Sequence, residues 1–179
     1  GEGRHERLWK VLGSHVRRDD SGELIGTAFS VWAPNARSVS LIGDNNYWDR
    51  KTHPMVSLGN AGIWEIFIPG IGAGIRYKYA VQKSDGNWID HADPMARQTE
   101  IPPLTASVVN ESNYQWQDQQ WLKTRSTFQP WRSPISVYEV HLGSWRPGLS
   151  YLELAAELTA YCVEEGFTHV EFLPVMEHP

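Results

Sequence analysis

The sequence predicts an all-β sandwich followed by a strand–helix–strand unit of the kind that opens a parallel β/α barrel. Three observations carry this reading. Between Thr27 and Asn110, short runs alternate apolar with polar residues and are punctuated by Gly, Pro and Asn. From Ser150 to Cys162 the apolar period lengthens to that of a helix. Two short apolar runs, 135–142 and 169–175, flank that helix.

In the first part, Thr27–Trp32 alternates so that Phe29 and Val31 share a face, and Pro34-Asn35 ends the run. Val39–Gly43 reads as a second strand. Gly62–Pro69 puts Trp64, Ile66 and Ile68 on one side and Glu65 on the other. Arg76–Gln82 turns Tyr77, Tyr79 and Val81 inward and Lys78 and Gln82 outward. Ser84-Asp-Gly-Asn87 is a hairpin signal, because Asp-Gly favours primed turns that match strand twist. Short strands at this spacing suggest a sandwich. Trp32 and Trp64, inside strands, are expected in the core.

Residues 111–133 are polar, rich in Gln, and carry Trp116, Trp121 and Trp131. They read as a linker that packs on a neighbour through its aromatic rings. The domain organisation is therefore 1–110 sandwich, 111–133 linker and 134–179 strand–helix–strand. In the last segment Ser150 and Glu153 make a capping box. Tyr151, Leu154, Ala155, Leu158 and Cys162 form the buried stripe, and Gly166 is the stop.

Composition excludes several functions. The chain has 179 residues, 41% of them hydrophobic, which suffices for a core and is too apolar for a disordered tail. A net charge of −5 without a Lys/Arg run leaves no footprint for nucleic acid or an anionic membrane surface. Neither a membrane-spanning apolar run nor a signal-peptide pattern is present. The single cysteine, Cys162, lies on an apolar stripe and fits a reducing, cytoplasmic setting. There is no initiator Met, and the chain is expected to be an internal piece of something longer. No nucleotide loop, nucleophile elbow or zinc pattern occurs.

Several motifs carry a resemblance: Thr27-Ala-Phe-Ser-Val-Trp-Ala-Pro-Asn-Ala36, Gly43-Asp-Asn-Asn-Tyr-Trp-Asp49, Tyr77-Lys-Tyr79, Ala92-Asp-Pro94, Tyr138-Glu-Val-His-Leu-Gly-Ser-Trp145 and Gly166-Phe-Thr-His-Val-Glu171. Nearly end to end, the chain resembles the bacterial 1,4-α-glucan (glycogen) branching enzymes. Its first part is similar to their family 48 carbohydrate-binding module, an immunoglobulin-like sandwich. Its last part is similar to the first strand, helix and second strand of their glycoside hydrolase family 13 TIM barrel. The Val-Trp-Ala-Pro and Asn-x-Trp-Asp signatures are shared with debranching and trehalose-releasing relatives. His141-Leu-Gly-Ser-Trp145 and Pro174-Val-Met-Glu-His-Pro179 are narrower and favour branching. Alternatives are a non-catalytic α-glucan-binding module, a debranching enzyme or a maltooligosyltrehalose trehalohydrolase.

The resemblance implies a partner, an α-glucan such as glycogen or a maltooligosaccharide, and a second one, the remainder of the chain's own barrel. It implies no cofactor and no metal. It also implies glucan contact through a Trp, Lys, Trp set matching Trp48, Lys78 and Trp88. The residue types suit such contact, since an indole stacks on the apolar face of a glucose ring and Lys bonds hydroxyls. Two positions depart from the family, Asn45 where Phe is usual and Arg50 where Gly is usual. Asn45 would lose an apolar plug, at about 2–4 kcal/mol if buried. Arg50 would lose left-handed tolerance in the loop.

No catalytic residue is assigned. A retaining glycosyl transfer needs two carboxyl groups about 5–5.5 Å apart. By resemblance, the Asp, Glu and Asp concerned lie past Pro179. Glu139 and Glu177 stand near strand ends, where structural polar contacts or substrate-cleft lining are expected, and His141 and His178 lack the spacing of metal ligands. Two strands cannot close a barrel, and the 179-residue chain is expected to be inactive alone.

The terminal strands read as apolar on both faces, as parallel barrel strands are. By itself the chain is expected to self-associate through residues 134–179 while the sandwich stays folded. Light scattering combined with limited proteolysis checks this: a monodisperse, protease-resistant monomer would contradict it.

Overall fold

A computed structural model describes residues 6–175, and the chain divides after Tyr114 into two compact units. The first unit is an immunoglobulin-like β-sandwich of two antiparallel sheets. One sheet has the order β1 (Gly13–Arg18), β2 (Leu24–Trp32), β5 (Ile63–Pro69), β4 (Val56–Ser57). The other is built from β3 (Ser38–Gly43), β6 (Arg76–Gln82) and β7 (Trp88–His91), with β8 (Ser107–Val108) pairing the start of β6.

Side-chain alternation explains the core. From the first sheet Phe29, Val31 and Ile68 point inward; from the second, Val39, Leu41, Tyr77 and Tyr79 do. Full burial of such side chains contributes roughly 1.5–3 kcal/mol each. Phe29 packs edge-on against Tyr77 with ring centroids 4.9 Å apart, and Tyr77 packs likewise on Tyr79 at 5.8 Å. The two phenols need partners in an apolar interior. Both donate to Asp93 Oδ2, at 2.6 Å from Tyr77 and 3.3 Å from Tyr79, while Oδ1 accepts the Met95 N–H at 2.8 Å.

Trp32 is not core. It lies at the outward end of β2 and is 62% exposed, as alternation from Phe29 and Val31 requires. Trp64 does pack against the core, and its indole N–H donates to the Ala33 carbonyl at 3.0 Å. The β6–β7 hairpin sits where Asp85-Gly86 announced it, with a different turn. Only Gly86 is left-handed, Gly86 N–H donates to Lys83 O and Lys83 N–H to Asn87 O, which is a type I turn closed by a glycine bulge. Strands β1, β4 and β8 were not anticipated; β4 and β8 have two residues each, too few to show a period.

In the second unit, α1 (Gln119–Thr127) occupies the polar segment read as linker. Trp116, Trp121 and Trp131 are 70, 59 and 78% exposed there, with the Arg125 guanidinium 5.2 Å from the centre of the Trp121 ring. Next come β9 (Val137–Val140), the short α2 (Leu142–Trp145), α3 (Tyr151–Glu164) and β10 (His169–Phe172), with β9 and β10 parallel. The capping box forms: Ser150 Oγ accepts the Glu153 N–H at 3.4 Å and Glu153 Oε2 accepts the Ser150 N–H at 2.7 Å. Leu154, Leu158 and Cys162 are buried, and Gly166 ends the helix left-handed at φ 77°. Leu158 and Cys162 pack with Val140, flanked by Tyr138, Trp145, Tyr161 and Phe167.

The expectation of two apolar faces is corrected. Tyr138 and Val140 face that cluster, so Val137 and Glu139 alternate onto the opposite side. Parallel register sets Glu171 beside Glu139 there, and both are exposed. Val170, Phe172, Leu173 and Val175 are exposed as well. Glu177 and His178 lie outside the described residues. Among the described residues, no helix is long and apolar enough to cross a membrane.

Burial pushes the Asp93 carboxyl above its ordinary range, against the hydrogen bonds that lower it, Tyr77's first among them. Because the folded value is raised, the stability tied to the protonated form is complete below the unfolded value of about 3.9 and is lost as pH rises through the folded value. Tyr77→Phe removes the strongest donor and raises Asp93 further. It should destabilise the sandwich by about 1–3 kcal/mol at neutral pH and by less below pH ~4. Denaturant unfolding across that pH range checks this, and a pH-independent loss would contradict it.

Candidate functional site

β6 places one of the three predicted glucan contacts directly. Its alternate residues Arg76, Lys78, Ala80 and Gln82 share the face opposite the tyrosines. Lys78 is half-buried, and its ammonium donates to Thr105 Oγ1 at 2.7 Å. On β7, Trp88 lies opposite Gln82 and Asp90 opposite Ala80, hence on the same face. Lys78 and Trp88 are thus one strand apart and about 13 Å apart along the sheet, from the rise of ~3.3 Å per residue.

Trp48 comes from the loop that leaves β3 at Gly43. That glycine is needed because a Cβ there would collide with the Arg76 carbonyl oxygen. Asn46 is buried and shapes the loop from within: its Oδ1 accepts the Gly43 N–H at 3.0 Å and its amide donates to Leu41 O at 2.9 Å and Asp49 O at 3.2 Å. Tyr47 and Trp48 are both left-handed, at φ 53° and 61°, a conformation that ordinary side chains adopt only under restraint. Trp48 is 37% exposed.

The loop is tied to the sheet at both ends. Arg76 grips Asp44 through Nε at 2.9 Å and Nη2 at 3.0 Å and also reaches Glu100 at 3.3 Å. Arg50 grips both oxygens of Asp90, Nη2 at 2.9 and 3.0 Å, with Nε at 3.2 Å from Oδ1. Ala80 and Ile42 alternate onto this outer face and are nevertheless buried. Arg76, and to a lesser degree the Trp48 indole, hold the Asp44 carboxyl below its ordinary range.

Lys78 and Trp88 therefore share one face by strand register, and the loop that carries Trp48 is tied to the same two strands through Asp44 and Arg50. Thr105, Asp44, Arg50, Arg76 and Asp90 were not foreseen as parts of this arrangement. Their pairings span 27 to 40 residues, and no local sequence signal reports contacts of that range. Both family departures are resolved. Arg50 is not left-handed; the strain falls on Tyr47 and Trp48, and Arg50 is an anchor. Asn45 is half-buried, with its amide 3.3 Å from His53 Nδ1 and its Oδ1 buried without a partner among the described residues.

Other features do not compete. A groove of about 510 Å³ lies on the outer face of the other sheet, between Arg17, Ala28, Glu65 and Phe67, and contains none of the three residues. Among the described residues, no three of His, Cys, Asp or Glu gather to hold a metal ion. His141 Nδ1 lies 2.7 Å from Ser144 Oγ at the start of α2, a local contact three residues long.

The model for "Carbohydrate-binding module 48 (Isoamylase N-terminal domain)" matches residues 11–96. That match takes in most of the first unit. Along its whole length the chain is 59% identical to a 1,4-alpha-glucan branching enzyme of Nocardia farcinica, covering 24% of that protein. It is 62% identical over 99% of its length to the enzyme of that name from Thermobifida fusca, again covering 24%. The chain thus spans about a quarter of the curated relatives it matches. Among solved structures, a putative α-amylase from Salmonella typhimurium superposes with TM-score 0.65 at 24% identity, covering 93% of this chain and 25% of that one. A Klebsiella pneumoniae pullulanase in a maltotriose complex gives 0.62 at 20% identity, covering 93% and 20%. At that identity the two share the fold of this chain.

Replacing Arg76 with Ala should release Asp44. A depressed carboxylate contributes stability above its unfolded value of about 3.9 that is lost as pH falls through the folded one. The pair is partly exposed and screened by solvent, so the loss at neutral pH should be small. Carboxyl NMR titration of Asp44 should move up to the ordinary range; an unmoved titration would contradict the assignment.

Proposed function

We propose that the chain is part of a 1,4-α-glucan branching enzyme, with a sandwich that supplies a glucan contact surface at Trp48, Lys78 and Trp88. The observation that carries the reading is identity of 59% sustained over the whole chain, through the second unit as well as the module. Debranching and amylolytic proteins share the fold at only 20–24%, so branching is preferred over them. Continuity of the match beyond residue 114 argues against a free-standing binding module. A cytoplasmic location accompanies this reading.

The chemistry asked of the whole enzyme is cleavage of an α-1,4 bond, covalent retention of the glycosyl group and its delivery to a 6-hydroxyl. A retaining mechanism assigns this to two carboxyl groups about 5–5.5 Å apart in a closed site. The second unit would contribute the opening strands of that barrel, β9 and β10, with α3 as the crossover between them. Glu139 and Glu171 are open to solvent and receive no catalytic role. The chain by itself is proposed to bind glucan without transferring it.

The sandwich's role is to hold polymer near the site. A neutral glucose ring offers an apolar face to an indole and a rim of hydroxyls to Lys78, whose present acceptor, Thr105, is itself a hydroxyl. The protein containing this chain should introduce α-1,6 branches into amylose and leave pullulan intact. For binding, maltoheptaose is titrated while Trp fluorescence is followed. Trp48→Ala and Trp88→Ala should each weaken affinity by about fivefold or more, from the ~1–3 kcal/mol of a ring stacked on an aromatic side chain. Unchanged affinity in both would sink the surface assignment.

A further inference from the structure

We propose that Arg50 and Asp90 form a clamp that sets how tightly the sandwich holds an uncharged glucan, by fixing Trp48 relative to Trp88. The proposal rests on the reading of this face as the glucan surface. Arg50 stands two residues after Trp48, and Asp90 two residues after Trp88 on the same face of β7. The ion pair therefore joins the two elements that carry the indoles.

Other ties leave this link unmade. Asp44–Arg76 anchors the loop to β6, the strand of Lys78, and Asn46 holds the loop to its own residues and to Leu41. Arg50 supplies the bond from the loop to β7. Its geometry is that of a planar fork on a carboxylate, with three contacts between 2.9 and 3.2 Å, which fixes orientation as well as distance. Tyr47 and Trp48 are held left-handed; the Trp48 N–H on Gly43 O and the Asp44–Arg76 pair hold that turn to β3 and β6, while the Arg50 pair sets its position relative to β7. A second tryptophan can assist the first only when both rings meet the same glucan at a set separation.

The consequence is unusual for a neutral ligand. Affinity should fall with ionic strength, because salt screens the clamp rather than the ligand. The guanidinium and carboxylate side chains are 44 and 35% exposed, so the effect is modest, about two- to fivefold.

The test uses the 179-residue chain and maltoheptaose, read by Trp fluorescence at about 20 and about 500 mM salt. Wild type should weaken about two- to fivefold across that range. Arg50→Ala and Asp90→Ala should each bind as weakly at low salt as wild type does at high salt, and lose the salt dependence. The double exchange Arg50→Asp with Asp90→Arg should recover affinity, which a general loss of stability would not allow. Salt-independent binding in wild type, or single variants of undiminished affinity, overturns the clamp while Trp48→Ala still weakens binding. If Trp48→Ala and Trp88→Ala also leave affinity unchanged, the surface itself is wrong and the clamp falls with it.

Discussion

β6 carries two incompatible environments on one strand, and the sandwich is organised around keeping them apart. Tyr77 and Tyr79 are fully buried, and their hydroxyls converge on Asp93. That carboxylate is costly to bury, and it is tolerated because two phenols and the Met95 amide satisfy it. The arrangement admits a single register. A slip of one residue would drive Arg76 and Lys78 into the core and leave the Asp93 carboxylate without its donors. The inward tyrosines thereby decide that Lys78 faces outward.

The outer face inherits that register through pairing rather than through its own packing. Trp88 and Asp90 reach it because β7 is in antiparallel register with β6, and two arginines pin the strained loop of Trp48 to the same two strands. Charged groups thus fix the geometry of this face by acting on the protein's own loop and strands. Their partial exposure keeps each contribution small, so the surface is tuned by placement more than by the strength of any one bond.

The second unit follows a different logic. Its one compact cluster among the described residues lies between α3 and β9, where Leu158 and Cys162 meet Val140. The opposite side of β9 and β10 sets Glu139 beside Glu171, two like charges that a closed apolar layer would not accept. The 59% identity to a 1,4-alpha-glucan branching enzyme runs through this unit as well as the first.

What the sequence determined alone is local and periodic. The alternation in β2, β5 and β6, the Ser150–Glu153 capping box, the Gly166 stop and the position of the Gly86 turn follow from neighbours a few residues apart. Periodicity even contained the outward placement of Trp32, which its size obscured. The types and numbers of the three candidate contacts were legible through motifs. What only the tertiary structure decided depends on residues distant in the chain: the union of the Trp48 loop with the strands of Lys78 and Trp88, the Thr105 partner, the role of Arg50, and the exclusion of Trp116, Trp121 and Trp131 from the core. The physical reason is that hydrophobic period and backbone preference act over one or two turns. An ion pair spanning 40 residues exists only once the sheet has brought its two ends together.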